Sequence, residues 1–277
     1  MGLSTTFSRH FVGIRARHAV LAVTASLVAS AALALPEQSP IDITSTNAVY
    51  SVLPPLQFDY GNSVALIVEN TGSPGEEKTI RANVGAGTHS LLLSGVNYNL
   101  LQFHFHTEAE HAVNGVRSEM EMHFVHQATD GSGKLLVVGR FIEAGAFNAA
   151  LDPIFSALPP TEASPHLDLP TFDLGALLPS DLSSYRYAGS LTTSPYTEGV
   201  SWNVLASPAT MSHDQIDAFR TLFHEPEGNT RALQSLEGRV VLTDVSGFAV
   251  PEPGTWLLML IGLAAVGGVA AKRRQSA

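Results

Sequence analysis

The 277-residue chain contains no cysteine, which excludes a disulfide framework, a thiolate nucleophile and a cysteine-ligated zinc site. Basic residues are also scarce, with 15 Lys and Arg against 25 Asp and Glu. Six of the basic residues but only one acidic residue lie before residue 35 or after residue 250, so the middle carries nine basic and 24 acidic residues, a formal net charge of −15. Such a surface repels a phosphate backbone and argues against a nucleic-acid partner. It suits a soluble, exported protein.

The N-terminal end has the composition of a secretory signal. Residues 1–17 contain three arginines and no acidic residue, and an apolar run from Ala19 to Ala34 follows and ends in small residues. We predict a signal peptide over residues 1–34 that is cleaved after Ala34. An uncleaved N-terminal anchor is the alternative, although the apolar run is short for a membrane span.

The C-terminal end, residues 246–277, has three parts in a fixed order. A Pro-Glu-Pro sequence at residues 251–253 precedes an uncharged run, Thr255 to Ala271, and a basic cluster at residues 272–274 follows. The run is long enough for a minimal transmembrane segment with a positive cytoplasmic stop. This order resembles the PEP-CTERM sorting signal, which implies membrane contact and processing by an exosortase. The protein would then be periplasmic, membrane-tethered or in the extracellular matrix, and a plain single-pass anchor is the alternative.

The middle of the chain, residues 35–245, is dominated by strand signals. Short apolar runs such as Ala65–Val68, Ser90–Leu93 and Leu135–Val138 lie beside Gly, Asn and Ser turn residues. Helix signals are few, the better ones being Ala146–Leu158 and Ser212–Phe223, where Ser212 is a suitable N-cap. We predict a single, mostly β domain with largely antiparallel strands and a few short peripheral helices.

Histidine is concentrated in one region, with six of the 11 histidines between residues 89 and 126. In one strand-like run, Gln102, His104 and His106 alternate with Phe103 and Phe105. Because side chains alternate across a strand, the polar residues share one face and the phenylalanines share the other. Two imidazoles on neighbouring positions of one face can bind the same metal ion.

A second strand-like run supplies a third imidazole. Glu119, Glu121, His123 and Val125 share one face of this run, and two methionines and a phenylalanine lie behind them. If the two strands pair, His123 completes a three-histidine site with an open fourth position, the pattern of catalytic zinc. Gln102 and Glu121 are then placed to accept the outer ring N–H of a ligating histidine. A buried polar network without a metal is the structural alternative.

A different metal motif overlaps the first run. His104, His106 and Glu110 also fit the spacing of a cupin, in which Glu110 would be a ligand to manganese or iron. The second cupin motif does not follow it in the sequence. The cupin interpretation is therefore the minor alternative.

Seven motifs occur in the order and at the spacing of an alpha-class carbonic anhydrase. They are Gln38–Ile43, Gln102–His106, Glu110–His111, Glu121–His126, Leu191–Pro195, Glu198–Trp202 and Asn229–Gln234. The resemblance covers residues 37 to about 242. It implies the alpha carbonic anhydrase fold, a central, largely antiparallel twisted sheet with zinc at the bottom of a cleft, and the interconversion of carbon dioxide and bicarbonate.

The resemblance also implies roles for individual residues. His104, His106 and His123 correspond to the zinc ligands, and Gln102 and Glu121 to their hydrogen-bond partners. Thr192 corresponds to the residue that orients the zinc-bound hydroxide and donates to a buried carboxylate, here Glu110. Thr193 resembles the residue that helps to hold bicarbonate. The apolar wall for carbon dioxide corresponds to Val125, Val137, Leu191, Val200 and Trp202, and His111 and His126 correspond to structural histidines.

The implied chemistry depends on the charge of the metal. Zinc lowers the pKa of a bound water to about 7, a value for which carbonic anhydrase is itself the standard example, so hydroxide is present at neutral pH. Attack on carbon dioxide then gives bicarbonate, and a proton must leave the site.

The sequence departs from the family pattern at two places. Ser73 stands where the family has a proton-relaying histidine, and serine does not titrate near neutral pH. We therefore expect slow, buffer-sensitive turnover. His89 is the one unassigned histidine nearby in the sequence, and nothing in the sequence shows that it reaches the cleft to replace the missing relay. The aromatic N-terminal stretch and the cysteine that would pair with it are also absent, and Tyr196 occupies the cysteine's position. A catalytically weak or inactive zinc-holding surface or matrix-binding protein is the alternative function.

Overall fold

The computed structural model describes residues 36–72, 78–85, 89–223 and 229–248. The expected signal peptide (1–34), the position of Ser73 and the expected transmembrane segment (255–271) lie outside these ranges. Within them, no helix has the length and apolarity needed to cross a membrane.

The described residues form mostly strands. These are β1 (Asp42–Ile43), β2 (Ala48–Tyr50), β3 (Gln57–Asp59), β4 (Leu66–Asn70), β5 (Ile80–Val84), β6 (Ser90–Leu93), β7 (Val96–His106), β8 (Ala112–Val113), β9 (Met120–Ala128), β10 (Leu135–Ala144), β11 (Leu167–Leu169), β12 (Ser184–Ser190), β13 (Glu198–Met211) and β14 (Val241–Thr243). The helices are α1 (Asp152–Phe155) and α2 (His213–Leu222), with a 3-10 turn at Gly175–Leu177.

Twelve of these strands form one large sheet. Its main order is β11-β4-β5-β7-β9-β10-β13-β12-β14-β2, and β3 and β6 extend it beside β7. The β10–β13 and β14–β2 pairs are parallel, and the other pairs of this sheet are antiparallel. β1 and β8 form a separate parallel pair. The prediction of a mostly β, largely antiparallel fold with few helices is confirmed.

The long strands β7, β9 and β10 form the centre of the sheet and separate two buried clusters. The back cluster contains Phe103, Phe105 and Phe124 and is covered by Phe155 of α1 and Phe219 of α2. The front cluster contains the apolar residues around Trp202. His104 and His106 of β7 and His123 of β9 therefore lie on the face opposite the aromatic core.

A β-bulge in β7 sets which residues face the front. The register with β9 shifts between Leu100 and Gln102, so Leu101 is the extra residue. Leu100 is buried in the back cluster, whereas Leu101 is 41% exposed. After the bulge the strand continues regularly, which directs Gln102, His104 and His106 to the same face.

One of the two predicted helices is present as expected, and the other is much shorter than predicted. Ser212 caps α2 as expected, in a capping box with Gln215, and Ile216 and Phe219 are buried. The helix expected over Ala146–Leu158 is reduced to the four residues of α1. The Asn148 side chain accepts the N–H groups of Ala150 and Leu151, and such a local turn competes with helix formation.

Candidate metal centre

The three candidate histidines come together because β7 and β9 pair in register. His104 lies directly opposite His123, and His106 lies opposite Glu121. All three imidazoles are buried. Each offers one ring nitrogen to a group whose atoms lie within 4.8 Å of one another. The condition for a three-histidine site, that the two strands pair, is therefore met.

The other ring nitrogen of each histidine has a polar neighbour. His104 Nδ1 bonds Gln102 Oε1 at 2.8 Å, and His106 Nδ1 bonds the backbone oxygen of Asn229 at 2.8 Å. His123 Nε2 lies 3.0 Å from Glu121 Oε1. These contacts leave Nε2 of His104, Nε2 of His106 and Nδ1 of His123 for a shared ligand, and they fix the orientation of each ring.

Burial favours the neutral, metal-binding form of His104 and His123. Desolvation and the neighbouring histidines hold the pKa of His104 well below its ordinary value. Desolvation also lowers the pKa of His123, although Glu121 opposes this shift. Burial alone would raise the pKa of Glu121, but His111 and His123 outweigh it and hold this pKa well below the ordinary value. A neutral imidazole has a free lone pair, which a metal ion requires.

A second group of potential ligands shares His123 with the first and consists of His111, Glu121 and His123. Glu121 already accepts the backbone N–H of His111 at 2.8 Å and lies 2.8 Å from His111 Nδ1. His111 Nε2 lies 2.6 Å from the Tyr187 hydroxyl. These groups satisfy one another as a buried polar network. The first group is therefore the better candidate for a metal.

Glu110 lies close to the triad, but its contacts differ from the expected ones. Its Oε1 accepts the backbone N–H of Arg231 at 2.8 Å. Its Oε2 lies 3.7 Å from His106 Nε2 and 3.9 Å from His123 Nδ1, and it has no hydrogen-bond partner among the described residues. The expected hydrogen bond with Thr192 is not formed in this structure, because Glu110 directs this oxygen toward the two imidazoles.

A cavity of ≈ 290 Å³ opens beside the triad and is lined by His104 and His123. The other lining residues expected from the sequence are Gln102, Val125, Val137, Leu191, Thr192, Thr193 and Trp202. Val200 is not in the lining, although it is buried in the same cluster as Trp202. The Trp202 indole packs against the His123 ring at 4.9 Å and donates to the backbone oxygen of Ser190.

The remaining histidines of this region lie outside the cavity lining. His126 Nδ1 bonds the backbone oxygen of Leu136, and its Nε2 lies 2.6 Å from the Tyr60 hydroxyl. His111 belongs to the network with Glu121. His89 packs beside Gly61. The contacts of His111 and His126 are those of structural histidines, as expected.

Sequence reasoning missed several contributors to the site. Arg81 of β5 lines the cavity, and only its place in a short alternating strand could have indicated this. Asn229 contacts His106 from 123 residues away, a distance that hides the pairing in the sequence. Gly139 faces His123, and a β-carbon there would lie 2.7 Å from Glu121 Oε1, so a glycine makes room for that carboxylate.

Comparison with known proteins gives consistent matches over most of the chain. A family model for eukaryotic-type carbonic anhydrases matches residues 28–245, and one for the PEP-CTERM protein-sorting motif matches residues 249–274. The carbonic anhydrase of Neisseria gonorrhoeae is 40% identical over 206 residues, which are 74% of this chain and 76% of the relative. That of Pectobacterium carotovorum is 35% identical over 74% of this chain and 79% of the relative.

Solved structures give the same result. An alpha-carbonic anhydrase from Thermovibrio ammonificans, in complex with the inhibitor sulfanilamide, superposes with a TM-score of 0.65 at 36% identity, covering 74% of this chain and 86% of the other. The Photobacterium profundum alpha-carbonic anhydrase has a TM-score of 0.65 at 35% identity, covering 74% and 88%.

Proposed function

Because the chain belongs to the eukaryotic-type carbonic anhydrase family, we propose that it catalyses the reversible hydration of carbon dioxide with a zinc ion held by His104, His106 and His123. The observation that carries this proposal is the group of three buried imidazoles, each fixed through its outer nitrogen, beside a cavity with an apolar wall. The products are bicarbonate and a proton.

The donor set fits zinc. Three imidazole nitrogens with one position left open are typical of catalytic zinc, and no carboxylate is needed among the ligands. When bound, zinc supplies a water-derived nucleophile at neutral pH because it lowers the pKa of a coordinated water. Gln102, Glu121 and the Asn229 carbonyl oxygen would hold the three rings in position and favour the required tautomers.

We propose that Thr192 and Glu110 together orient the nucleophile, because they fix the direction in which Thr192 can accept a hydrogen bond from it. Oε2 of Glu110 is buried without a hydrogen-bond partner among the described residues, and an ionised carboxylate can only accept. We infer that the Thr192 hydroxyl donates to Glu110 in the active enzyme. The Thr192 oxygen would then be restricted to accepting, which orients a donor placed beside it.

The apolar side of the cavity suits an uncharged substrate. Val125, Val137, Leu191 and Trp202 offer carbon dioxide a surface without hydrogen-bonding demands. Thr193 provides a hydroxyl beside this surface, where it would contact bicarbonate. Closely packed apolar groups also restrict water at the reacting centre, which strengthens electrostatic interactions there.

Proton export is proposed to limit turnover. The histidines that line the described part of the cavity are His104 and His123, which are assigned to the metal. Ser73 stands where the family resemblance implies a proton-relaying histidine, and serine does not titrate near neutral pH. A proton would therefore leave directly to buffer molecules.

Stopped-flow measurement of carbon dioxide hydration by the purified protein tests this function. We expect activity with zinc, loss of activity after chelation, recovery on adding zinc, and a turnover number that rises with the concentration of imidazole buffer. Absence of hydration by folded, zinc-loaded protein would overturn the proposed function. Fast turnover that is independent of buffer would overturn the proton-transfer proposal alone.

The two ends support export of this enzyme. The PEP-CTERM motif over residues 249–274 favours sorting at the membrane and processing by an exosortase. Together with the expected cleavage after Ala34, it predicts a mature enzyme formed by residues 35–245 and part of the tail. Mass spectrometry of protein recovered from outside the cytoplasm should find a new N-terminus at Leu35 and a mass that lacks the Thr255–Ala271 segment. A full-length mass would contradict both cleavages.

A further inference from the structure

One row of directly opposed residues crosses four neighbouring strands and ends at the metal centre. Glu69 of β4 pairs with Arg81 of β5, Arg81 pairs with His104 of β7, and His104 pairs with His123 of β9. Adjacent strands are about 4.8 Å apart, and directly opposed side chains share a face. Arg81 is therefore one strand away from a proposed zinc ligand and on the same face of the sheet.

The guanidinium of Arg81 is held in a defined position. Its Nε and Nη2 donate to Glu69 Oε1 at 3.2 and 2.8 Å, and Asn83 Nδ2 donates to the same oxygen at 2.6 Å. These bonds do not use Nη1, whose two N–H groups stay available as donors. The Arg81 side chain is 29% exposed and lines the cavity, so these donors are accessible from the cleft.

Arg81 also differs in charge from its surroundings. It is the one arginine or lysine among the described residues that line the cavity, and no carboxylate lines it. The domain as a whole carries a formal net charge of −15 over residues 35–250. Such a surface repels an anion, whereas carbon dioxide is unaffected. A fixed cation at the wall offsets this repulsion locally.

We propose that Arg81 forms an anion subsite in the cleft that attracts bicarbonate and holds it beside the metal centre. This proposal rests on the proposed function, because it takes the ligand from that reaction. The planar guanidinium fork matches the two oxygens of a carboxylate-like anion. Glu69 lies behind Arg81, outside the lining, and aims the fork while partly neutralising it.

The test measures anion affinity directly. Thiocyanate is titrated into the cobalt-substituted protein, and its dissociation constant is read from the visible absorption of the metal. We expect R81Q to bind thiocyanate roughly three- to tenfold more weakly, the range for opposite charges within about 10 Å near a protein surface. R81K keeps the charge and should stay within about threefold of the wild type. Inhibition of hydration by bicarbonate should weaken in R81Q by the same factor.

K134Q is the matched control, since it removes one positive charge from an exposed turn residue outside the lining. Equal thiocyanate affinities in R81Q and K134Q would overturn the subsite. E69Q gives a second measurement that does not depend on the stability of R81Q. Removing the neutralising carboxylate should tighten thiocyanate binding about twofold or more, and unchanged or weaker binding would contradict the proposal.

The two proposals fail in different ways. Thiocyanate affinity is an equilibrium property of the metal-loaded protein and does not require turnover. A protein without hydration activity whose R81Q variant still binds thiocyanate more weakly would refute the proposed function and support the anion subsite. An active protein with equal affinities would do the opposite.

Discussion

The two faces of the β7–β9 ribbon are built from the same alternating pattern but contact very different surroundings. The front face carries Gln102, His104, His106, Glu121 and His123, and the back face carries Phe103, Phe105, Met120, Met122 and Phe124. The back residues bury apolar surface, which favours folding. The front residues bury polar atoms, which is unfavourable unless each finds a partner. One strand pair therefore supplies stability on one side and chemistry on the other.

The largest effect is expected when His123, on the front face, is replaced. In H123A the zinc content should fall from one ion per chain to near zero, and carbon dioxide hydration should fall to the uncatalysed rate, because two imidazoles alone bind zinc weakly. Circular dichroism should stay close to that of the wild type. Metal analysis and stopped-flow assays measure the two losses. H89A is the matched control outside the lining, and zinc retained in H123A at full stoichiometry would refute the ligand assignment.

On the back face, Phe103 should matter for stability rather than for metal binding. Its ring contacts those of Phe105, Phe124 and Phe172 and is fully buried. F103A should lower the free energy of unfolding by about 3–5 kcal/mol, as measured by urea denaturation. F147A replaces a phenylalanine that is 58% exposed and should change it by less than about 0.5 kcal/mol. Equal losses in the two variants would contradict the assignment of the core.

His126 is an exception to the contrast between a polar front face and an apolar back face, because it is a titratable group on the back face. Burial lowers its pKa to about 4. The unfolded chain therefore binds a proton near pH 6.5 that the folded chain refuses until about pH 4. The stability from neutral His126 is complete above pH 6.5 and is lost as the pH falls, by about 3 kcal/mol down to pH 4.

The H126Q variant isolates this contribution. Urea denaturation at pH 7 and at pH 4.5 should give a smaller loss of stability in H126Q than in the wild type, by about 2–3 kcal/mol. A wild-type and a variant protein with parallel pH dependence would contradict the buried, neutral state. Y60F, which removes the hydroxyl 2.6 Å from His126 Nε2, should retain the pH dependence that H126Q loses.

The smallest expected effect concerns Gln102, which orients a front-face imidazole without binding the metal. Q102A should reduce zinc affinity by about 10- to 100-fold, because the His104 ring loses its hydrogen-bond acceptor. Competition with a chelator measures the affinity. Q127A replaces a glutamine on the exposed side of β9 and should leave it unchanged. A zinc affinity in Q102A equal to that in Q127A would show that the hydrogen bond does not support the site.

Features that depend on residues close together in the sequence, such as the two faces of a strand and the cap of a helix, were predicted best. Strand alternation separated His104 and His106 from Phe103 and Phe105, and the Ser212 cap identified α2. Contacts made by distant segments were not predictable in this way. Asn229 reaches His106 across 123 residues, and Arg81 lines the cavity only because β5 pairs with β7. The bulge at Leu101 and the turn at Asn148 also depend on local geometry that the alternating pattern does not record.

The roles taken from the family resemblance had a different basis, since they were transferred residue by residue. Thr192 and Thr193 do line the cavity, yet Val200 does not, and Glu110 contacts the Arg231 backbone rather than Thr192. A motif specifies the residue types at a site. The direction of each side chain follows from the packing around it.

The most direct test of the account is the position of zinc in a crystal structure of the metal-loaded protein, located by its anomalous scattering. We predict one ion about 2.0–2.1 Å from Nε2 of His104, Nε2 of His106 and Nδ1 of His123, with Glu110 outside the ligand set. An ion bound between His111, Glu121 and His123, or one ligated by Glu110, would contradict the account.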